Sequence, residues 1–499
     1  MRQEPKHKLF AGKALAKIFQ TAPRLLCPLH MQSTHSRRAR LGVIACATIF
    51  AAAAPTASGL QQLPLDSKSP APATDSSPLN DVRRELAELR AELARLEAVK
   101  PASPPNAAAP TVSVGADGFS LKSADKAFEI RLRGYFQTDG RVRVGSNSSP
   151  LTSTLLLRRM RPILEVTMWR LMDFHLMPDF ADGKLYDANF DLRLSKPFAL
   201  RAGKFKPPIS LERLQSAADI EFVERGLPTN LAPSRDIGVQ AFGDIHGGVL
   251  SYAAGVFNGV PDLAVGDADN GPSKDMVARV LVAPWKVGGT SALRGLTVGV
   301  AGSRGVQRGT VAAPFLAAYR APSQQNVLVY RSNATADGTT IANGLHTRVY
   351  PQGTFYLGPF GALGEYARSS QVVRRGTSQA TLTNKAWQLL GTFVVTGENA
   401  SYEGVVPTKA FDPSAHSWGA FELVARVGGL TIDPATFPVF ADPLTQVNRE
   451  ASWGAGVNWY LARSIRLLLD LDVTSFHGGS AKGNRPSERV LLTRIQHGF

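Results

Sequence analysis

The stretch EIRLRGYFQTDGRVRV, residues 129–144, decides the fold. In an extended backbone successive side chains point to opposite faces. Glu129, Arg131, Arg133, Tyr135, Gln137, Asp139, Arg141 and Arg143 therefore share one face, and Ile130, Leu132, Gly134, Phe136, Thr138, Gly140, Val142 and Val144 the other. Asp139-Gly140 is a two-residue hairpin signal. A hairpin there would set Thr138 against Arg141, Gln137 against Val142 and Phe136 against Arg143, driving each arginine of the second arm onto the apolar face of the first. An uninterrupted strand keeps both faces uniform. Its length exceeds the ~5–6 residues of an ordinary strand and suits a tilted membrane-crossing strand.

The same dyad recurs from about residue 112 to residue 499. YDANFDLRL (186–194) puts Tyr186, Ala188, Phe190, Leu192 and Leu194 opposite Asp187, Asn189, Asp191 and Arg193. SIRLLLDLDVTSF (464–476) and ASWGAGVNWY (451–460) alternate likewise. A soluble sandwich alternates too, but a sheet this large removes its edges by closing into a barrel. The longest apolar run, LGVIACATIFAAAA (41–54), is shorter than the ~18–20 residues of a membrane helix. The fold class is all-β, a transmembrane antiparallel barrel, preceded by a short coiled-coil helix.

The run 41–54 reads as a signal-peptide core, with Arg37, Arg38 and Arg40 before it and the small residues of AAAAPTASG (51–59) behind. Met31 opens a signal peptide of ordinary length, so residues 1–30 read either as an upstream start choice or as a real extended leader. Leader and signal together span 1–58. Without them the formal charge falls from +16 to +8 and both cysteines, Cys27 and Cys46, disappear. Nucleic-acid binding loses half its support, and no disulfide or cysteine metal site is expected.

Residues 59–110 are Pro-, Ala- and Ser-rich linkers around a helical segment at 79–99. Leu79, Val82, Leu86, Leu89, Leu93 and Leu96 recur at spacings of three and four, which reads as about three heptads. So short a helix is marginal alone. It forms by association, or else the segment is a lone charged helix or a disordered arm. The barrel occupies 111–499. Its last stretch, VLLTRIQHGF (490–499), places Leu491, Thr493, Ile495, His497 and Phe499 on one face. A terminal strand ending in Phe499 resembles the signal read by the barrel-assembly machinery of bacterial outer membranes.

Six blocks in one order, LRRMRPILEVTMWRLMDFHLMPDF (157–180), RAGKFKPPISLERLQSAADIEFVERGLPTNLAPSRDIGVQ (201–240), LSYAAGVFNGVPD (250–262), GPFGALGEYARSSQ (358–371), FDPSAHSWGAFELVARV (411–427) and NRPSERVLLTRIQ (484–496), resemble the phosphate-selective porin family of the O and P type. The resemblance covers roughly residues 115–499. It implies a 16-stranded outer-membrane barrel in contact with lipid, usually a homotrimer, passing small anions such as phosphate or polyphosphate without a cofactor.

In such a barrel the polar face meets a water-filled lumen. Arg131, Arg133, Arg141 and Arg143, with Arg159 and Arg161 on the next strand, would then form a cationic ladder, and a planar guanidinium fork suits phosphate oxygens. Alternation breaks at Pro207-Pro208. By resemblance the irregular segment that follows folds into the lumen, with Lys204, Lys206 and Arg213 in the narrow zone and Arg225 and Arg235 behind them. Against the ladder stand Glu129, Asp139, Glu165, Asp173, Asp187, Asp191, Asp470 and Asp472 on the same inner faces. These charges either tune a pore or pair to stiffen its wall.

Phosphate-loop, H-E-x-x-H, C-x-x-C and G-x-S-x-G motifs are absent from the sequence, so neither an enzyme nor a metal site is expected. The other readings are a broad-specificity porin and a structural protein that tethers the envelope through its coiled coil. Mature protein from outer membranes is expected to begin near residues 54–60 and to lack cysteine. N-terminal sequencing that recovers residues 1–30, or a lipid on Cys46, contradicts this.

Overall fold

The computed structural model describes residues 77–99, 109–145, 153–266, 269, 274–287 and 291–499. The leader expected at 1–58 and most of the linkers lie outside these residues. The chain divides into two units, Met1–Lys100 and Pro101–Phe499. In the first, α1 spans Ser77–Val99, where the heptads place a helix. Of the seam expected there, Val82, Leu86, Leu89 and Leu93 are about half exposed, from 48% to 58%. Leu79 and Leu96 belong to α1, and their side chains lie outside the described residues. A coiled-coil partner for α1 is not shown.

The second unit opens with a hairpin of β1 (Thr111–Gly115) and β2 (Gly118–Lys122). Sixteen antiparallel strands follow. The first nine are β3 (Glu129–Arg143), β4 (Thr154–Met168), β5 (Met172–Asp179), β6 (Lys184–Ser195), β7 (Phe198–Phe205), β8 (Asp236–Ile245), β9 (Leu250–Phe257), β10 (Asp275–Val282) and β11 (Leu296–Arg308). The remaining seven are β12 (Ile341–Leu357), β13 (Phe360–Arg375), β14 (Ser378–Val394), β15 (Ala420–Thr431), β16 (Val447–Ala462), β17 (Ile465–Ser480) and β18 (Glu488–Gly498). Each pairs with the next, and β18 returns to β3 from Val490↔Arg143 to Gly498↔Tyr135, closing the barrel.

The quoted stretch is one uninterrupted strand, with Asp139 and Gly140 in its middle rather than at a turn. Arg131, Arg133, Arg141 and Arg143 are half-buried on its inner face, while Ile130, Leu132, Phe136 and Val142 are exposed outside. The last strand and β2 share one edge of this strand. Gly134 and Phe499 exchange backbone hydrogen bonds of 2.9 and 3.0 Å, and β2 takes over the same edge of β3 from Phe119↔Leu132 onward.

Most connections at the end that holds residues 129 and 498 are short: 169–171, 196–197, 246–249, 358–359 and 463–464. The longer connections there are 283–295 and 395–419, and the second turns inward. At the opposite end run the long segments 206–235 and 309–340. Both fill the lumen, where Ile209, Leu227, Leu231, Tyr319 and Leu328 pack on the wall residues Phe257, Val277 and Tyr350. The outer face is an apolar belt. Phe360 with Phe393 and Phe421 with Trp459, ring centroids 4.9 and 5.4 Å apart, border it near the end that holds residues 129 and 498, and Tyr366, Trp387 and Trp453 border it toward the long-loop end.

Leu469 lies on the outer face of β17, midway along the belt and 47% exposed. Leu469→Arg places a charge in hydrocarbon at a cost of ~2–4 kcal/mol. Leu132, near the end of the belt, is expected to tolerate the same change. Urea titration of the folded barrel in detergent-free vesicles checks the difference, and equal stability of the two variants contradicts the assignment of the belt.

Candidate functional site

The segment 206–235 leaves β7 where Pro207 and Pro208 withhold the N–H groups that would extend the sheet. It contains only a four-residue helix, α2 (Leu211–Leu214), and a short 3-10 turn at Leu227–Leu231. Its buried backbone must therefore find partners elsewhere, and the wall of β13–β18 supplies them. Glu365 accepts from Leu211 N, and Asp470 Oδ2 accepts from Val223 N at 2.6 Å. Asn458 donates to Glu221 O at 2.9 Å, and Arg426 and Arg494 donate to Glu224 O and Val223 O at 2.8 Å. From the other end, Tyr402 of the 395–419 connection donates to Leu211 O, and Gln215 Nε2 donates to Tyr402 O at 2.9 Å. The loop is pinned mainly to β13–β18, with further bonds to β3 and β4 through Gln137, Arg141 and Arg158, and the remaining path runs beside β3–β8.

On the long-loop side of that path is a cavity of about 470 Å³. Its basic lining comes from Arg158, Arg159 and Arg161 of β4, Lys184 of β6, Lys206, Arg213, Arg225 and Arg235 of the loop, and Arg320; its acidic lining is Asp182, Glu224 and Asp262. Lys206, Ala217 and Arg235 also line a second cavity toward the chain termini. A third, which again includes Lys206, reaches Arg131, Glu129, Glu165, Asp173 and Asp191. Lys206 thus stands where all three meet.

Most wall arginines here are paired. Arg131 bonds Glu129 at 2.9 Å, and Arg133 bonds Glu165 at 2.6 Å. Arg141 and Arg158 share Glu224 at 2.9 and 3.1 Å. Arg161 bonds Asp179 at 2.7 Å, Arg201 bonds Asp191 at 2.6 Å and Arg235 bonds Asp187 at 2.7 Å. Burial opposes ionisation of Glu224, yet Arg158 and Arg141 hold its carboxyl at about 2.

Four cations differ. Lys206 Nζ donates to Leu214 O and Gln215 O, both at 2.9 Å. Arg213 donates to Thr229 O at 2.7 Å, and Arg225 donates to Glu212 O and Gln215 O at 2.9 and 2.7 Å. Arg159 donates to the Gln137 amide at 2.7 Å. Among the described residues none of the four is ion-paired with a carboxylate. Neutral carbonyls fix their positions and leave their charge uncompensated. Burial, with Arg235 and Arg225 nearby, pushes the Lys206 ammonium well below its ordinary range.

The expected narrow-zone residues Lys206 and Arg213 are therefore brought together with Arg159, Arg161, Arg225 and Arg235. Lys204 is not. It is buried in register with Ala188 and Ile237, on the row opposite to the inward Arg201 and Phe205, and it lines none of the three cavities. Lys206 escapes the same parity because the strand has ended at Phe205. Arg143 lies on the inner row near the long-loop end, and Phe499, 45% exposed, closes the last strand.

Two residues were misplaced or missed by strict alternation. A bulge pairs Gln137 with Arg159 and Thr138 with Leu157, so the skipped Arg158 turns inward to Glu224. A second bulge, between Met177 and Pro178, turns Tyr186 into the lumen instead of onto the apolar face. Its ring lies 3.8 Å from the Arg161 guanidinium and 5.2 Å from that of Arg235. Pro178 was the available signal, since proline within a sheet marks an edge or a bulge. The adjacent Arg158-Arg159 pair interrupts the dyad but does not say which of the two turns.

Residues 128–499 match the family described as phosphate-selective porin O and P. The chain belongs to that family. The barrel is thus a bacterial outer-membrane porin. Curated proteins give no sequence match. Among solved structures, the outer-membrane expressed OmpT of Vibrio cholerae is 13% identical, with 75% of this chain and 98% of that one covered and a TM-score of 0.48. The outer-membrane channel DcaP of Acinetobacter baumannii is 11% identical over 77% and 99% of the two chains, TM-score 0.48. The anion-selective porin from Comamonas acidovorans is 10% identical over 74% and 100%, TM-score 0.45.

Because burial lowers the pKa of Lys206, its charge is present below that lowered value and is lost as pH rises through it; burial also lowers that of Arg213, to about 9, and that of Arg225, to about 10, and these titrate as separate alkaline steps. Anion-over-cation permeability is expected to fall at a pH below the ~10.4 of an ordinary lysine. Lys206→Arg should abolish the lysine step. Reversal potentials in chloride gradients measure it, and a profile identical in the two proteins contradicts it.

Proposed function

We propose that this porin is a diffusion channel for small anions, phosphate and polyphosphate among them, and that Lys206, Arg213, Arg225 and Arg159 are its selecting group. The observation that carries this reading is the contrast between cations held by carboxylates and cations held by carbonyls. Arg131, Arg133 and Arg141 each face an acid at 2.6–2.9 Å, so a passing anion meets a nearly neutral wall there. At Lys206, Arg213 and Arg225 it meets net positive charge with free donor capacity. A Debye length of ~8–10 Å at moderate salt lets an anion in the about 470 Å³ cavity feel several of these charges together. The family's description as phosphate-selective supports the same preference.

Assembly belongs to the same reading. The half-exposed apolar seam of α1 (Val82, Leu86, Leu89 and Leu93) gives each chain a face that is stable only when covered, which supports a homotrimer joined in part through these helices.

Planar-bilayer recording with phosphate and chloride gradients tests the selecting group. In Lys206→Gln/Arg213→Gln/Arg225→Gln the reversal potential should move toward cations. Block of chloride current by phosphate should weaken about tenfold or more for each charge-assisted hydrogen bond removed. Undiminished phosphate block in this variant would overturn the assignment, and native mass measurement showing only monomers in mild detergent would overturn the trimer.

A further inference from the structure

On the outer face, the strand register gathers cations into a row. Arg368 of β13 stands directly opposite Lys385 of β14. Lys385 faces Thr431 of β15, Thr431 faces Arg449 of β16, and Arg449 faces His477 of β17. All five are exposed on the outside of the barrel. Neighbouring strands are ~4.8 Å apart, so three permanent cations fall within about 14 Å. Like charges directly opposite each other on a sheet repel. Among the described residues none of Arg368, Lys385 and Arg449 forms an ion pair. The five acids of β13–β17, Glu365, Glu422, Glu450, Asp470 and Asp472, are all buried on the inner face, so the sheet offers the row no counter-charge.

The depth of the row is fixed by its neighbours. Tyr366 opposite Trp387 lies one outward position closer to the barrel middle, and Trp453 lies two below Arg449. Below them the outer face is apolar as far as the Phe360–Phe393 and Phe421–Trp459 pairs at the other border. Aromatic girdles mark the two interfaces of an outer-membrane barrel, and the longer loops mark its extracellular side. The basic row therefore sits at headgroup depth in the outer leaflet, where a charge is tolerated but not neutralised by hydrocarbon.

We propose that Arg368, Lys385 and Arg449 form a docking surface for a lipid whose headgroup carries phosphate monoesters. Two guanidinium forks and an ammonium in line match phosphate oxygens in geometry and charge, and bridging by an anion relieves the repulsion built into the row. A second copy presenting this same β13–β17 face is a poor occupant, since all five acids of these strands are buried on the inner side. The site lies outside the lumen and stands apart from the reading of the channel.

The full-length protein is reconstituted in phosphatidylcholine nanodiscs, either alone, with lipid A bearing both phosphates, or with lipid A stripped of phosphate. Native mass spectrometry counts the glycolipid retained. Retention is expected only for the phosphorylated form, and it should fall about fivefold for each charge removed in Arg368→Gln/Lys385→Gln/Arg449→Gln. Arg368→Lys/Arg449→Lys should keep most of it, and all variants should show unchanged single-channel conductance, which certifies the barrel. Equal retention of both lipid forms, or undiminished retention by the triple Gln variant, overturns the proposal. So does efficient disulfide cross-linking between protomers through Arg368→Cys, which would assign the face to a protein contact.

Discussion

The guanidinium of Arg494 joins the two features on which the lumen depends. It is fully buried at the seam where β18 closes onto β3. There it bonds both oxygens of Asp139, at 2.7 and 2.8 Å, and also donates to Val223 O of the inward loop at 2.8 Å. Removing one partner of a buried pair of this kind costs ~3–5 kcal/mol, because the other charge is left uncompensated. Barrel closure and loop position thus share one side chain. Asp139, which in a hairpin reading would have been a turn residue, is the acceptor on which both converge.

From that anchor the distribution of charge follows. A lumen wall built from alternating strands has polar positions at fixed spacing, and opposite charges on neighbouring strands fall within bonding distance, as Arg133 with Glu165 and Arg201 with Asp191 do. Such pairs stiffen the wall and cancel its field. An irregular loop has no such lattice. Its cations Lys206, Arg213 and Arg225 reach carbonyls in and just after α2 and at Thr229, whereas Arg235 at its end pairs with Asp187. Carbonyl-held and carboxylate-held cations are thereby divided largely between loop and wall.

The sequence displayed the strands because the dyad is a property of each segment alone, and β3 kept the register read from residues 129–144. It displayed the loop's start because proline chemistry at Pro207 and Pro208 is local. It did not display Arg158 or Tyr186 as lumen residues, since a bulge is defined by the partner strand. Nor did it separate Lys204 from Lys206, which share parity but lie on either side of a strand end. The distinction between Arg131, paired, and Arg213, unpaired, depends on where a thirty-residue excursion comes to rest, a tertiary fact with no periodic signature.

The connection 395–419 enters the lumen from the end that holds residues 129 and 498 and meets the 206–235 segment at Tyr402, Leu211 and Gln215. The narrow zone is therefore braced like a beam held at both ends. A loop fixed only to the wall can swing as a flap, whereas this one can change the bore only if the brace beneath it moves too. Motion of the inward loop is damped, and the connection 395–419 becomes mechanically continuous with it.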